Sequence, residues 1–318
     1  MLGIAIPTYQ RAEKLAETLR HIDSHVPAEV PLFIRDNGST DATEAVVNSF
    51  IQGTRRATTY RRNSTNLGID ANIFAVIEDC ETEFVWCLGD DDLFEPDTYP
   101  RIQNALEHIS PLGLIYLNYR VFDPNCVKAN TDAVIKPTMG ELHDPGYEAL
   151  TAIGELLSVL SCLVFHRPSF RQGISTMPVW CHGTALDFVW PLCSLLGERK
   201  ALVFADAAIR WRSGDEDRGF HWTQLTTPYL AILSEHCRRW QRPDLLRAVR
   251  RLCLERTLIP KIRHVRVLRL LPFPSRLSIA IELWRHFPDL PSLYTQAWPL
   301  ALFPEALLRL VRYLLRFK

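Results

Sequence analysis

The chain has none of the glycine-rich loops that mark the common nucleotide enzymes. No two of its 14 glycines are separated by a single residue, so G-x-G-x-x-G is absent, and no G-K-[ST] occurs. A dinucleotide oxidoreductase and a Walker-type ATPase are both disfavoured. There is no C-x-x-C pair: the eight cysteines, at 80, 87, 126, 162, 181, 193, 237 and 253, are scattered through mostly apolar stretches such as "WPLCSLL". They read as reduced, packed thiols in a reducing compartment, and Cys181 with His182 has no second ligand pair at zinc spacing. No basic stretch precedes the N-terminal apolar run "LGIAIP", so it is not read as a signal peptide. No segment offers the ~20 uninterrupted apolar residues of a spanning helix. Net charge is missing too, with 36 basic and 36 acidic residues, but the balance is not local. From Cys237 to Lys318 there are 17 Lys or Arg against 5 Asp or Glu, which leaves this tail at +12 and the rest at −12.

What is present is a foldable chain of 318 residues, 47% apolar and 23% charged, long enough for a sizeable core. Over the first 120 residues, short apolar runs alternate with segments of helical period. "LGIAIP", "LFIRD", "ATTYRR", "FVWCL" and "GLIYLNYRVF" read as strands; "RAEKLAETLRHIDSH", "STDATEAVVNSF", "IDANIFAVIEDC" and "DTYPRIQNALEHI" read as helices between them. Asp41 and Glu44 have capping-box spacing at the start of the second helix. The order β-α-β-α-β-α-β predicts an α/β fold with a mostly parallel sheet flanked by helices. Residues 1–224 are taken as one domain in two halves, 1–120 and 121–224. In the second half, "YEALTAIGELLSVLSCLVFHR" reads as a helix running into a strand and "TALDFVWPLCSLLGE" as a helix. "ALVFADAAIRWRSGDEDRGFHW" reads as a strand followed by a polar closing loop. Residues 225–318 form a helical, basic, amphipathic region.

An open parallel sheet binds ligands beyond the carboxyl ends of its strands. The residues there are Pro7, Thr8, Tyr9 and Arg11 after the first strand, Asp36, Asn37, Gly38 and Ser39 after the second, Asn66, Gly68 and Asp70 after the third, and Asp90, Asp91 and Asp92 after the fourth. Three consecutive carboxylates directly behind the apolar run "FVWCL" repel one another unless a cation sits among them. Hard oxygen ligands bridging Mg²⁺ or Mn²⁺ to phosphate suit them, although an acidic triplet also occurs as a solvated turn. With no glycine loop to cradle a diphosphate, a metal ion has to neutralise it.

The blocks "IAIPTYQR", "DNGSTD", "NLGIDAN" and "GDDDLFEPD", in this order over the first 120 residues, together resemble the family-two glycosyltransferases of GT-A fold, in particular abequosyltransferase-like bacterial members. The resemblance implies a Rossmann-like GT-A sheet and transfer of a sugar, with inversion, from a nucleotide-sugar to a lipid-linked or saccharide acceptor in bacterial surface polysaccharide synthesis. It implies Mn²⁺ or Mg²⁺ as cofactor, and makes 1–120 the nucleotide-sugar-binding half and 121–224 the acceptor half. It assigns Pro7, Thr8, Tyr9, Arg11 and Asp36 to the nucleoside, with Asn66 and Gly68 flanking the base. Asp90 falls to the ribose or sugar, Asp91 to the metal, and Asp92 to a second metal bond. The family's D-x-D-D has Gly89 at its first position here, which leaves open which two aspartates take these roles.

An inverting member also needs a general base for the acceptor hydroxyl. The family's E-D at a helix start corresponds to Leu186-Asp187, which makes Asp187 the candidate; a helix N-terminal carboxylate has a purely structural reading too. His221 is a candidate for the metal or diphosphate, or simply a solvated loop histidine. Arg210, Arg212 and Arg218 either neutralise the leaving diphosphate or balance Asp215, Glu216 and Asp217. Trp180, Trp190 and Trp222 either stack on sugars or pack the core. The competing readings are a nucleotidyltransferase, which would release pyrophosphate, and a non-catalytic nucleotide-sugar-binding scaffold. In "PEALLRLVRYLLRFK", Leu307, Leu308, Val311, Leu314 and Leu315 fall on one helical face and Arg309, Arg312 and Arg316 on the other. This predicts a cytoplasmic enzyme held peripherally on an anionic membrane surface. Nucleic-acid binding would leave that apolar face nothing to bury against.

Overall fold

Leu2–Thr8 forms β1, on which the sheet is assembled. We describe the protein from a computed structural model, which covers residues 1–136, 141–213, 222–260, 262 and 273–302. The chain divides into two compact units, Met1–Gly219 and Phe220–Lys318.

In the first unit, β1 is followed by α1 (Ala12–His25), β2 (Leu32–Asp36), α2 (Thr43–Gly53), β3 (Thr58–Arg62), α3 (Ile69–Asp79), β4 (Phe84–Cys87), β5 (Leu93–Phe94), α4 (Thr98–His108), β6 (Leu112–Tyr116) and β7 (Tyr119–Phe122). Then come β8 (Leu142–His143), α5 (Leu150–Ile153), β9 (Leu163–His166), α6 (Arg167–Ser175), α7 (Val189–Leu196), β10 (Lys200–Val203) and β11 (Ile209–Arg212). The main sheet has the order β3-β2-β1-β4-β9-β6-β10-β8. β3, β2, β1 and β4 run parallel, β9 lies antiparallel between β4 and β6, β10 is parallel to β6, and β8 is antiparallel to β10. The mostly parallel expectation therefore holds. β1 and β4 are nearly all buried because helices cover both faces of such a sheet. α1 buries Ala12, Leu15, Thr18, Leu19 and Ile22 along one stripe.

Three local readings change. "GLIYLNYRVF" is two strands, not one: Asn118, fully buried, donates to the carbonyls of Ile135 (2.8 Å) and Ala205 (2.6 Å) and accepts from the N–H of Tyr119 and Ile135. These bonds turn the chain out of the main sheet into a small one ordered β5-β11-β7. The segment expected as one helix after Gly146 breaks into α5 and short 3₁₀ turns, because Gly154 takes a left-handed φ of 57°. Asp41 does not close a capping box. It accepts from Thr43 N–H (3.1 Å) and Thr43 hydroxyl (2.6 Å) with one oxygen and from Ala12 N–H (3.1 Å) with the other, tying together the starts of α1 and α2.

The second unit is helical. Trp222–Arg239 and Pro243–Leu252 are followed by a π-helical turn at Cys253–Leu258, then Phe273–His286, a second π turn at Leu293–Ala297, and Trp298–Leu302. Leu245 and Val249 are buried while Arg247 and Arg251 are not, so the arginine-rich face of Pro243–Leu252 points outward.

Candidate functional site

Because β3, β2, β1 and β4 are parallel, their carboxyl ends meet at one edge. The loop after β1 turns back at Gln10, whose φ is 54°, and donates from Gln10 N–H to Ser39 Oγ at 2.9 Å. The loop after β2 turns at Gly38, with φ of 77°. A Cβ there would stand 2.9 Å from the Thr65 carbonyl carbon, so only glycine fits. Asn37 then knits the loops after β2 and β3. It donates to Asn66 Oδ1 (2.8 Å) and the Gly68 carbonyl (3.0 Å) and accepts from Asn63 (2.9 Å) and Leu67 N–H (3.0 Å). Asn66 and Gly68 themselves are exposed, as is Tyr9 at 37%, so this rim is open to solvent.

Asp36 lies beneath the rim. It is fully buried, accepting from Ser39 N–H at 2.8 Å with one oxygen and from the Tyr60 hydroxyl at 2.9 Å with the other, which also lies 3.5 Å from Arg62 Nε. Both oxygens are thus taken by protein donors. Burial and the Asp36 bond push the Tyr60 phenol up, so it remains a donor across the ordinary pH range.

The three aspartates after β4 diverge. Thr8, buried at the end of β1, donates to Asp90 Oδ2 at 2.7 Å. Asp91 is met by Arg11, Nη1 to Oδ2 at 2.5 Å. Asp92 turns inward: its oxygens accept from Arg212 N–H (2.9 Å) and Ser161 hydroxyl (2.5 Å), and the residue is 4% exposed. Ser161 in turn accepts from Gly89 N–H at 2.9 Å, and a Cβ at Gly89 would come within 2.9 Å of that hydroxyl. This explains the glycine at the position where the sequence pattern has an acid. Thr18, fully buried on α1, reaches the carbonyls of Asp90 (3.2 Å) and Asp92 (3.3 Å). Burial, followed by the Asp91 charge between them, pushes both the Asp90 and Asp92 carboxyls upward; Thr8 and Arg11 pull Asp90 back in part, and Ser161 and the Arg212 N–H do so for Asp92.

Among the described residues no group of three or more His, Cys, Asp or Glu forms a ready-made metal cage. The donor chemistry still fits Mg²⁺ or Mn²⁺, which bind through one or two carboxylates and complete their shell with water and substrate phosphate. Asp90 and Asp91 are half-buried, whereas Asp92 is buried and each of its oxygens already accepts a hydrogen bond. Arg210 and Arg212 are committed elsewhere. Arg210 forms a two-pronged pair with Glu95 (3.0 and 2.7 Å), and Arg212 reaches Glu17 (2.8 Å) and the carbonyls of Asp91 (2.7 Å) and Pro124 (2.8 Å). Trp190 is fully buried, and Trp180, 49% exposed, packs edge-on against it with ring centroids 6.0 Å apart. His221, Arg218 and the acids at 215–217 lie outside the described residues, as does the side chain of Trp222.

Asp187 precedes α7 and is 3% exposed. Its carboxylate accepts from Gly183 N–H (2.8 Å), Thr184 N–H (2.9 Å) and Thr184 hydroxyl (3.0 Å), and His182 Nδ1 lies 3.8 Å away. Asp70, in the first turn of α3, accepts from Ala185 N–H at 2.6 Å and Asp187 N–H at 3.1 Å. Burial, then the Asp187 charge and a hydrogen bond between the two side chains, raises Asp70 to about 7. Asp70 follows the Asn66–Gly68 rim directly, so Asp187 is joined to the sheet edge through it. The sequence marked Asp70 as a residue after a strand but gave no sign of this partner.

Comparison with known proteins agrees with the architecture. Residues 1–349 of S. aureus TarS superpose with a TM-score of 0.64 at 16% identity, covering 92% of this chain and 81% of that one. A mannosyltransferase from Pyrobaculum calidifontis, in complex with GDP-Man and Mn²⁺, superposes with a TM-score of 0.57 at 17% identity, covering 94% and 85%. The fold is thus GT-A. In sequence, the chain is 33% identical over 109 residues to abequosyltransferase RfbV of Salmonella typhimurium, a match covering 34% of this chain and 33% of that protein. The chain is matched over about a third of the length of this curated relative. The family model for glycosyl transferase family 2 matches residues 3–170, more than half of the chain, and carries the signature loops at the sheet edge; the chain belongs to glycosyl transferase family 2.

Proposed function

We propose that the protein is an inverting glycosyltransferase that moves a sugar from a nucleotide-sugar to an acceptor hydroxyl with Mn²⁺ or Mg²⁺ as cofactor. The observation that carries this reading is the meeting of Thr8, Arg11, Asn37, Asn66, Asp90 and Asp91 at one sheet edge, with Thr8 bonded to Asp90 across 82 residues of sequence. Tyr9, Arg11, Asn66 and Gly68 receive the nucleoside, while Pro7, Thr8 and Asp36 shape the floor under it. Arg11 turns its charge to the diphosphate. Asp91, with Asp90 beside it, holds the metal, which when bound supplies charge neutralisation for the departing diphosphate. Asp92, its oxygens already filled, fixes the loop. Asp187 takes the proton of the acceptor hydroxyl as that oxygen attacks the anomeric carbon from the face opposite the leaving group, which inverts the configuration.

The acceptor in this reading is a lipid-linked glycan, and the protein works peripherally at the cytoplasmic face of the cell membrane. What supports the placement is the charge of the second unit and the exposed apolar residues Leu277, Ile281 and Trp284, which recur at helical spacing on Phe273–His286. The test is incubation with a panel of UDP-, GDP- and CDP-sugars, with and without Mn²⁺ or Mg²⁺ and a saccharide acceptor. Nucleoside diphosphate release and the anomeric configuration of the product are then measured. Metal-dependent diphosphate release with an inverted linkage is expected; pyrophosphate release, or none across the panel, would overturn the reading.

A further inference from the structure

The loop that carries Asp187 is held in an unfavourable backbone conformation. Gly183 and Ala185 both take left-handed φ, 75° and 63°, and for alanine that conformation is costly unless something fixes it. The group that fixes it comes from another element. Asp70 Oδ2 takes the N–H of Ala185 itself, and Asp70 Oδ1 takes that of Asp187, across more than 110 residues of sequence. Both acids are buried, Asp70 to 8% and Asp187 to 3% exposure.

Among the described residues the charges around the two acids do not balance: neither carboxyl pairs with Lys or Arg. His182, 54% exposed, lies 3.8 Å from Asp187. Cys181 offers no counter-charge either, since burial and the two aspartates push its thiol to about 12. Two buried carboxyls without a cation between them retain one proton as a pair. Three protein donors converge on Asp187 and two on Asp70, and burial beside Asp187 raises Asp70 to about 7, so the retained proton rests on Asp70.

We propose that Asp70 is the positioning residue for Asp187. Its carboxyl clamps the 183–187 loop through two backbone N–H groups and, in its neutral form, donates a hydrogen bond to the Asp187 carboxylate, keeping that oxygen aimed. The role rests on Asp187 acting as the base. It also ties the base to the donor rim, because Asp70 begins the helix that Asn66–Gly68 leads into. Asp70 touches no substrate in this scheme; it acts through Asp187.

Two arms test it. The first needs no substrate: the Asp70 carboxyl carbon is followed by NMR against pH in the full chain. It is expected to titrate near neutrality in the wild type and to fall toward the ordinary carboxylate range in Asp187→Asn. An unchanged titration in that variant overturns the pairing. The second is nucleoside diphosphate release with the nucleotide-sugar panel. Asp70→Ala should lower kcat by roughly 10²-fold, the scale of a misaimed catalytic group, with the donor KM little moved. Asp70→Asn, which keeps a neutral donor, should recover much of that loss and should lack the alkaline limb that the wild type shows above about pH 7. Equal kcat for Asp70→Ala and wild type, or equal losses for Ala and Asn below pH 7, overturns the role. If instead Asp187→Asn turns over normally, it is the base assignment that falls, and the NMR arm still decides whether the two acids are paired.

Discussion

Arg11 and Asp91 close on each other at the sheet edge, Nη1 to Oδ2 at 2.5 Å, with side chains 13% and 21% exposed. Arg11 is the cation that meets the Asp91 carboxylate in this structure. The guanidinium holds the carboxylate in place, and in the proposed mechanism Asp91 exchanges that partner for a metal ion while the arginine turns to phosphate. Asp91→Asn should therefore abolish Mn²⁺-dependent binding of UDP or GDP, measured by calorimetry, and lower transfer by orders of magnitude without unfolding the chain. Normal metal titration in this variant would transfer the role to Asp90.

Asp92 should behave in the opposite way. Its oxygens hold the Arg212 N–H and the Ser161 hydroxyl, so Asp92→Ala leaves buried donors unpaired at a cost of about 1–3 kcal/mol each. A lower melting temperature with metal affinity retained is the expected outcome. Loss of metal affinity at full stability would show that Asp92 is a ligand after all.

The Asp70 carboxyl gives the fold a pH dependence. Its proton is bound more tightly in the folded chain, with a value of about 7, than in the unfolded one. Between the unfolded value and about 7, the folded state therefore binds more protons, and stability falls as pH rises through that window. The contribution is fully present below the ordinary carboxylate range and gone above about 7. Melting curves taken in EDTA should thus drop from pH 5 to pH 8, and by less in Asp70→Asn. A drop of the same size in both proteins would mean that other groups carry it.

Asp187→Asn should keep donor affinity and lose roughly 10²–10⁴-fold in transfer rate, the range for a positioned general base. A normal rate would return Asp187 to a purely structural role, which its three accepted hydrogen bonds would then suffice to explain.

Much of the sheet edge was legible because strand–helix alternation fixes its direction. Thr8 and Asp90 are each the first polar residue after an apolar run, Asp36 ends β2, Asn66 lies in the loop after β3, and parallel strands bring such positions together. The run Leu163–His166 carries no sign of its direction, so its antiparallel insertion between β4 and β6 was not readable. Nor were the separate fates of Asp91 and Asp92, adjacent and chemically identical, because Ser161 and Arg212 reach Asp92 from 69 and 120 residues away. The same holds for Asp70 and Asp187: each is an unremarkable helix-start acid in sequence, and their pairing exists only in three dimensions. The family resemblance assigns Asp36 to the nucleoside, and nothing in the sequence signals that Ser39 N–H and the Tyr60 hydroxyl, the latter 24 residues away, donate to its carboxylate.

Where the enzyme works is open to a direct measurement. The second unit, Phe220–Lys318, holds 17 Lys or Arg against 6 Asp or Glu, so it is +11. No helix among the described residues is long and apolar enough to cross a membrane. On Phe273–His286, Leu277, Ile281 and Trp284 are 46%, 44% and 50% exposed and share one face, and Tyr294 beyond them is 45% exposed. Apolar side chains in water beside a surplus of arginines match the surface of a helix lying in an anionic headgroup layer, where tryptophan and tyrosine bury their rings and cations meet phosphates. The basic amphipathic stretch from Pro304 to Lys318, outside the described residues, continues the same composition. The protein should co-sediment with vesicles containing anionic lipid and do so less in high salt, because the charge contribution is screened. Truncation before Trp298 should weaken binding while sparing nucleotide affinity, and Ile281→Ser with Trp284→Ser should weaken it at unchanged net charge. If vesicle binding is absent, or if none of these changes reduces it, the acceptor is not met at a membrane through this unit.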